Sequence, residues 1–371
     1  MLKYFIAITA LLFIITSASS QSTDWQKGIV TDEFIYDTAP YPSCHAATIA
    51  ETPKGLVAAW FGGTKERNPD VCIYVSRRVN NKWQTPVQVA DGIINDTLRY
   101  ACWNPVLYQM PKGDLLLFYK VGRSPSKWKG WLKRSKDNGA TWSAAEALPE
   151  GYLGPIKNKP VMVGNQLFCP SSTEGEGWNV HLEVTHDAGK TWKMIGPIQT
   201  DSSIQAIQPS LLTYKDGRLQ LLCRTKNRCV ASSWSKDGGT TWTPLTCTEL
   251  PNNNSGTDAV TLQDGRQLIV YNHVLPPADA KNGKGARTPL NIALSKDGKQ
   301  WYASLVLEDS PISQYSYPSV IQSKDGMIHI VYTWRRQKIK YVKIDPSQLQ
   351  MIDLNTSGWN NRKNANDKEE E

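Results

Sequence analysis

An imidazole, a phenol, a guanidinium and an ammonium group stand at repeated positions in this chain, and together they could move protons and hold an anion. His45 lies ten residues ahead of Gly55, and Asn104, Gln208 and Tyr317 lie nine residues ahead of Gly113, Gly217 and Gly326. Lys120 and Arg224 lie seven residues behind two of the same glycines. An imidazole or a phenol can exchange a proton with a substrate at hydrogen-bond distance. A guanidinium fork matches the two oxygens of a carboxylate.

The elements that must gather these groups are hairpins. Strand-turn-strand units recur at Gly55, Gly113, Gly164, Gly217, Gly265 and Gly326, each with apolar, β-branched and aromatic residues on both sides of the turn. Residues equally far before and after a turn meet at the open end of the hairpin, so a constant offset marks one face. Six hairpins, with room for four strands each and no long helical period, predict an all-β fold: a six-bladed β-propeller of four-stranded antiparallel blades. The polar strand ends then form a ring at one mouth of the central tunnel. For Ser171 and Thr333 the plainer expectation is capping of a strand end.

A second repeat is carried by Ser135, Asp137, Gly139, Thr141 and Trp142, again by Thr185, Asp187, Gly189, Thr191 and Trp192, again by Ser235, Asp237, Gly239, Thr241 and Trp242, and more loosely by Ser295, Asp297, Gly298 and Trp301. Each has the chemistry of a tight turn: Asp and Ser bond nearby amides, Gly takes positive φ, and Trp packs the turn on its sheet. This pattern is the Asp-box, or bacterial neuraminidase repeat, and on it the chain resembles the sialidase superfamily from about Tyr41 to Ile344. The boxes are a folding device found in propellers of several activities, so they point to architecture and not to substrate.

The resemblance implies an exo-glycosidase that releases a terminal acidic sugar whose carboxylate is held by arginines. Arg224, ahead of the third box, and Arg287, ahead of the fourth, match two of the family's three arginines. Tyr317 matches the family's nucleophilic tyrosine, with Tyr315 as a rival. The family's acid/base aspartate sits in a mobile loop after the first hairpin, where Asp70 matches it and Glu66 competes. The chain departs from the pattern twice. Ser43, Cys44, His45 and Ala46 stand where the first arginine belongs, and Gln208 stands where a glutamate activates the tyrosine. An amide cannot take the proton of a phenol, and an unperturbed phenol ionises only near pH ~10.

Three functions remain open on these residues. A glycosidase would place Arg224, Arg287, Gln208, Asn104 and Lys120 on the substrate, with Asp70 as acid/base; if water attacks, Glu174 or Asp258 supplies the second carboxylate. A polysaccharide lyase acting on a uronate-containing glycan would set Arg224, Arg287 or Lys120 against the carboxylate, and His45 or His273 with Tyr317 would move the protons. The third is a non-catalytic glycan-binding propeller. In each case the partner is a glycan, expected to be acidic, and Trp103 and Trp178 are candidate stacking faces.

Lys3, the apolar run from Tyr4 to Ile15 and the small residues Ser17, Ala18, Ser19 and Ser20 predict a secretory signal over residues 1–20 and an exported protein, periplasmic or secreted. The propeller is expected over 21–355 and a disordered polar tail over 356–371. The formal charge of +8 is spread along the chain without a basic block, which argues against nucleic acid as a partner. No second apolar run suggests membrane insertion. No phosphate loop, dinucleotide fingerprint or metal-ligand spacing occurs, so neither cofactor nor metal is expected. Of seven cysteines, Cys223 and Cys229 flank a short segment and are candidates for a pair.

Overall fold

The computed structural model describes residues 24–198 and 203–359. The expected signal segment and residues 360–371 of the expected tail lie outside them. Six antiparallel sheets follow one another along the chain, and their first strands are Ser43–Thr52, Ala101–Gln109, Val161–Val163, Ala206–Thr213, Asp258–Thr261 and Tyr315–Gln322. These define blades 1 to 6 of a β-propeller. Each first strand pairs with a second strand across the turn that carries the hairpin glycine. Second strands such as Leu115–Gly122 are buried along their whole length, as expected of a sheet covered on both faces. Blade 1 gains a fifth strand at Lys82–Trp83 and blade 5 one at Ile352–Asp353.

The ring is closed by the N-terminal segment. Ile29–Phe34 pairs antiparallel with Lys338–Ile344 and becomes the outermost strand of blade 6. Apolar residues gather in six wedges, one between each pair of neighbouring blades, instead of in one central core. Trp359 packs on Trp25 at 5.5 Å between ring centroids, so ordered packing runs four residues past the expected domain end at 355.

The Asp-boxes join the third strands to the fourth. In the first, Gly139 N donates to Ser135 Oγ at 2.8 Å, and Thr141 donates to Asp137 through both its amide, at 2.8 Å, and its hydroxyl, at 2.6 Å. The same bonds recur at Thr185, Asp187 and Thr191 and at Ser235, Asp237 and Thr241. Glycine is required at 239, where φ is +91° and a Cβ would lie 2.6 Å from Phe168 of the neighbouring blade. The cysteine pairing differs from expectation. Cys229 bonds to Cys247, with 5.6 Å between Cα atoms. These two lie on the adjacent third and fourth strands of blade 4, whereas Cys223, on the second strand, is buried in the wedge between blades 3 and 4.

Bonds from the Thr141 and Thr241 side chains and amides hold Asp137 and Asp237 down at about 2. A carboxyl depressed in the folded state stabilises fully above its unfolded value of about 3.9 and loses that contribution as the pH falls through the folded value. The midpoint of thermal unfolding, followed by circular dichroism, is therefore expected to stay level from about pH 7 to about pH 4 and to fall toward pH 2. An Asp137→Asn, Asp237→Asn double variant should show a smaller fall.

Candidate active site

The offset of nine residues coincides with a backbone irregularity. Ala46, Asn104, Gln208 and Tyr317 have positive φ of 56°, 28°, 54° and 53°. At each of them the pairing of first and second strands slips, which marks a β-bulge. Proline follows three of the four, at Pro105, Pro209 and Pro318, and a proline has no N–H to give to the ladder. A left-handed residue ahead of proline is costly, about 1–3 kcal/mol each, and bulges of this kind redirect a side chain at the end of a strand.

Side chains bond first strands to the neighbouring blade close to these bulges. Leu107 N donates to Thr48 Oγ1 at 3.1 Å, Gln208 N to Ser172 Oγ at 3.2 Å, Ala259 N to Ser210 Oγ at 3.1 Å, Val320 N to Asp258 Oδ2 at 2.8 Å and Ala46 N to Thr333 Oγ1 at 3.2 Å. Between blades 2 and 3 the link is Lys120, whose ammonium donates to the carbonyls of Asn104, Pro155 and Ile156. The segment leading into blade 3 then crosses the tunnel. Lys157 Nζ donates to Thr257 O at 2.9 Å and Pro318 O at 2.6 Å, and Lys159 pairs with Asp258 at 3.0 Å.

Above this plug, Tyr317 is the centre of a cationic cluster. Its hydroxyl accepts from Arg224 Nη1 at 2.6 Å and from Gln208 Nε2 at 3.4 Å. Arg224 also donates to Asn254 Oδ1 at 2.9 Å and to Gln208 Oε1 at 3.3 Å. Arg224 and Arg287 lie 5.7 and 5.8 Å from the centre of the Tyr317 ring, and the Lys157 ammonium lies 5.7 Å from it. Gly256 leaves room for this meeting: a Cβ there would stand 3.0 Å from Lys157, 3.1 Å from Gln208 Oε1 and 3.3 Å from Tyr317.

The His45 ring packs on Tyr317 at 4.1 Å between centroids. Burial holds this imidazole neutral, well below its ordinary range, and Arg336, Arg287, Lys157 and Arg224 push in the same direction. His45 Nδ1 and Thr333 Oγ1 share a hydrogen bond at 2.9 Å, and the same hydroxyl oxygen accepts from Ala46 N at 3.2 Å. The other ring nitrogen, Nε2, is buried without a hydrogen-bond partner. Burial lowers Lys157 to about 7. Burial also raises the Glu174 carboxyl above the usual range, against the pull of Arg224 and Lys226.

Several expected groups meet here: Arg224, Arg287, Gln208, Tyr317 and His45 surround one point, and Glu174 stands beside Arg224. Tyr315 is buried in the wedge between blades 5 and 6, so Tyr317 is the tyrosine of the cluster. In the loop that follows the first hairpin, Glu66 Oε2 accepts from Arg336 Nη1 at 2.5 Å. Asp70 is exposed and accepts from the Thr64 amide at 2.7 Å and hydroxyl at 2.5 Å, which braces the loop. Asn104 sits on the bulge of blade 2, buried, with its carbonyl bound by Lys120.

Three expectations are corrected. Lys120 is fully buried, and its ammonium is spent on carbonyls between two blades. Asp258 is fully buried within the plug, where it binds Lys159, Ser210 and the amides of Ala259 and Val320. His273 turns away from the tunnel: it bonds Tyr271, packs on Trp359 and lines a separate cleft of about 500 Å³. Of the stacking candidates, Trp103 is buried between blades 1 and 2, whereas Trp178 lies under Arg224 and Lys226, at 5.3 and 4.4 Å. Sequence reasoning missed Arg336, Gln314 and Lys157. Arg336 follows the second strand of blade 6, as Lys226 follows that of blade 4, and this common placement is the signal that could have found it.

A propeller with Asp-boxes, and with arginines around a tyrosine on its sixth blade, is of the sialidase type. The chain belongs to the BNR repeat-like domain family, whose model matches residues 54–330. It is 24% identical over 253 residues to the anhydrosialidase of Macrobdella decora, an alignment that covers 59% of this chain and 32% of that protein. The chain thus spans about a third of the length of that curated relative. Among solved structures, the intramolecular trans-sialidase of Ruminococcus gnavus superposes with a TM-score of 0.68 at 14% identity, over 86% of this chain and 98% of the other. A Hadza microbial sialidase superposes with a TM-score of 0.72 at 14% identity, over 86% and 69%. At these identities the structural likeness concerns the fold.

If Asp258 is a strut and not a ligand group, Asp258→Ala leaves Lys159 without its counter-charge inside the tunnel. It is expected to destabilise the protein by about 3–5 kcal/mol in urea unfolding, a loss that an exposed binding residue would not produce.

Proposed function

We propose that this protein is a sialidase-type glycoside hydrolase that releases a terminal acidic sugar from a glycan. The observation that carries this reading is the bond from Arg224 to the Tyr317 hydroxyl, with the Arg287 guanidinium close to the same ring. Guanidinium groups around one tyrosine suit a sugar whose carboxylate lies beside its anomeric carbon. Both groups bonded to the phenol oxygen through nitrogen are donors. They fix the position of that oxygen, which the proposed reaction sets against the anomeric centre.

Protonation of the leaving oxygen needs a carboxyl that keeps its proton. Burial raises the Glu174 carboxyl, the direction that an acid catalyst needs, and Asp70 has the family-matched place in the loop; these two are the acid candidates. A relative named for anhydrosialidase activity supports the acidic-sugar substrate class. One observation favours a second reading: the neutral His45, with Nε2 unpartnered beside Tyr317, has the makings of a proton-moving pair in a uronate lyase.

The test is incubation with sialylated and uronate-containing glycans, with products identified by mass and by ultraviolet absorbance. Hydrolysis gives a free acidic sugar without new absorbance, a lyase gives an absorbing unsaturated uronate, and release of neutral sugars alone would overturn the proposal. Tyr317→Phe is expected to lower kcat/KM by about 10²–10⁴-fold. The acid must be protonated to act, so activity should fall on the alkaline side of the pH profile. Whichever of Glu174→Gln and Asp70→Asn removes that alkaline limb identifies the acid.

A further inference from the structure

Blade 6 supplies a guanidinium that neither repeat assigns. Arg335 and Arg336 form the turn between its second and third strands, with φ of 51° and 58°. Cys44 N donates to the Arg336 carbonyl at 2.7 Å. This bond ties the turn to the opening strand of blade 1, beside His45, where the family pattern lacks its first arginine. From there the side chain reaches two acceptors. Arg336 Nε donates to Gln314 Oε1 at 3.4 Å, and Nη1 donates to Glu66 Oε2 at 2.5 Å. The same Gln314 oxygen accepts from Arg287 Nη1 at 2.9 Å and from Ser316 Oγ at 3.1 Å. Donors on blades 5 and 6 therefore converge on one neutral oxygen, and a carboxylate from the blade 1 loop occupies the remaining side of the Arg336 fork.

We propose that Glu66 is a resident carboxylate which the substrate's own carboxylate displaces from Arg336, so that Arg336 selects acidic ligands and their binding releases the exposed loop over residues 64–70. An ion pair with both side chains about a third exposed, 28% for Arg336 and 33% for Glu66, is weakly held. A ligand carboxylate that bridges Arg336 and Arg287, which both donate to Gln314 Oε1, is held by two guanidinium groups. The loop that would move is braced internally by the bonds from Thr64 to Asp70 and from Asn68 N to Lys65 O at 3.0 Å, so it can swing as a unit. Glu66 and Arg67 act electrostatically on Glu174, so release of the loop also changes the field at one acid candidate.

The inference takes the acidic-sugar ligand from the proposed function, and its test is separable from turnover. Titration calorimetry of the purified protein would use free N-acetylneuraminic acid as the acid probe and its methyl ester as the neutral control. Glu66→Gln is expected to tighten binding of the acid roughly three- to fivefold without changing binding of the ester. Arg336→Met should weaken binding of the acid roughly tenfold or more. In the Arg336→Met background, Glu66→Gln should then have no effect, and thermal unfolding of each variant verifies that it is folded. A gain that persists without Arg336, a gain that extends to the ester, or unchanged or weaker binding by Glu66→Gln overturns the inference. So does absence of binding by both wild type and Glu66→Gln. Coupling without turnover of any acidic glycan would sink the enzymatic reading alone; turnover without coupling would sink this inference alone.

Discussion

The first strand of every blade must do two incompatible things: lie close enough to the axis to bond its neighbours, and turn polar side chains toward the mouth. The left-handed bulge residue reconciles them in blades 1, 2, 4 and 6. It interrupts the ladder at one residue, so the strand below it can exchange hydrogen bonds with the next blade while the residue at the bulge faces another way. The strain of four such residues is tolerable because each is surrounded by contacts on both sides. The polar residues buried near the axis follow from the same constraint. Thr48, Ser172, Ser210, Asp258 and Thr333 satisfy amides that neighbouring strands cannot bond in register.

Charge at the mouth follows from the plug beneath it. Lys157 and Lys159 fill the tunnel, and Lys159 pairs with Asp258. The arginines of blades 4, 5 and 6 stand above them, with Glu66 bonded to Arg336 and Glu174 under the field of Arg224. Burial holds His45 neutral and the surplus of positive charge adds to it, and the phenol of Tyr317 is contacted by donors. A site of this sign attracts anions before any particular contact forms.

The fold was legible because its signals are local. Turn glycines and Asp-boxes recur within short stretches, and the spacing from glycine to bulge is fixed by the length of one strand. That fixed length is also why a simple offset found Gln208 and Tyr317. What the offset could not distinguish is which way a strand-end residue points. Lys120 and Arg224 share an offset, yet Lys120 is drawn inward by carbonyls of the segment entering blade 3, a contact invisible without the neighbouring blade. Asp258 is likewise claimed by Lys159, which is distant in sequence. His273 lies beyond the end of its strand, where register no longer holds. Arg336 was overlooked because the family pattern places an arginine on blade 1, whereas this chain delivers one from the other side of the junction between blades 6 and 1. The disulfide was missed because Cys229 is nearer to Cys223 in sequence but nearer to Cys247 across paired strands.

Closure by Ile29–Phe34 makes the folding of this protein a problem of waiting. Ile29–Phe34 pairs with Lys338–Ile344, far along the chain, so the closing contacts have very high sequence separation and form late. Five blades can assemble by local pairing while the third strand of the sixth presents a bare edge, open to strands of other molecules. The junction that holds Arg336 against Cys44 is the same seam. Anything that loosens the amino-terminal strand will therefore reach the mouth of the tunnel through the backbone of blade 6, without touching a single residue that faces the ligand.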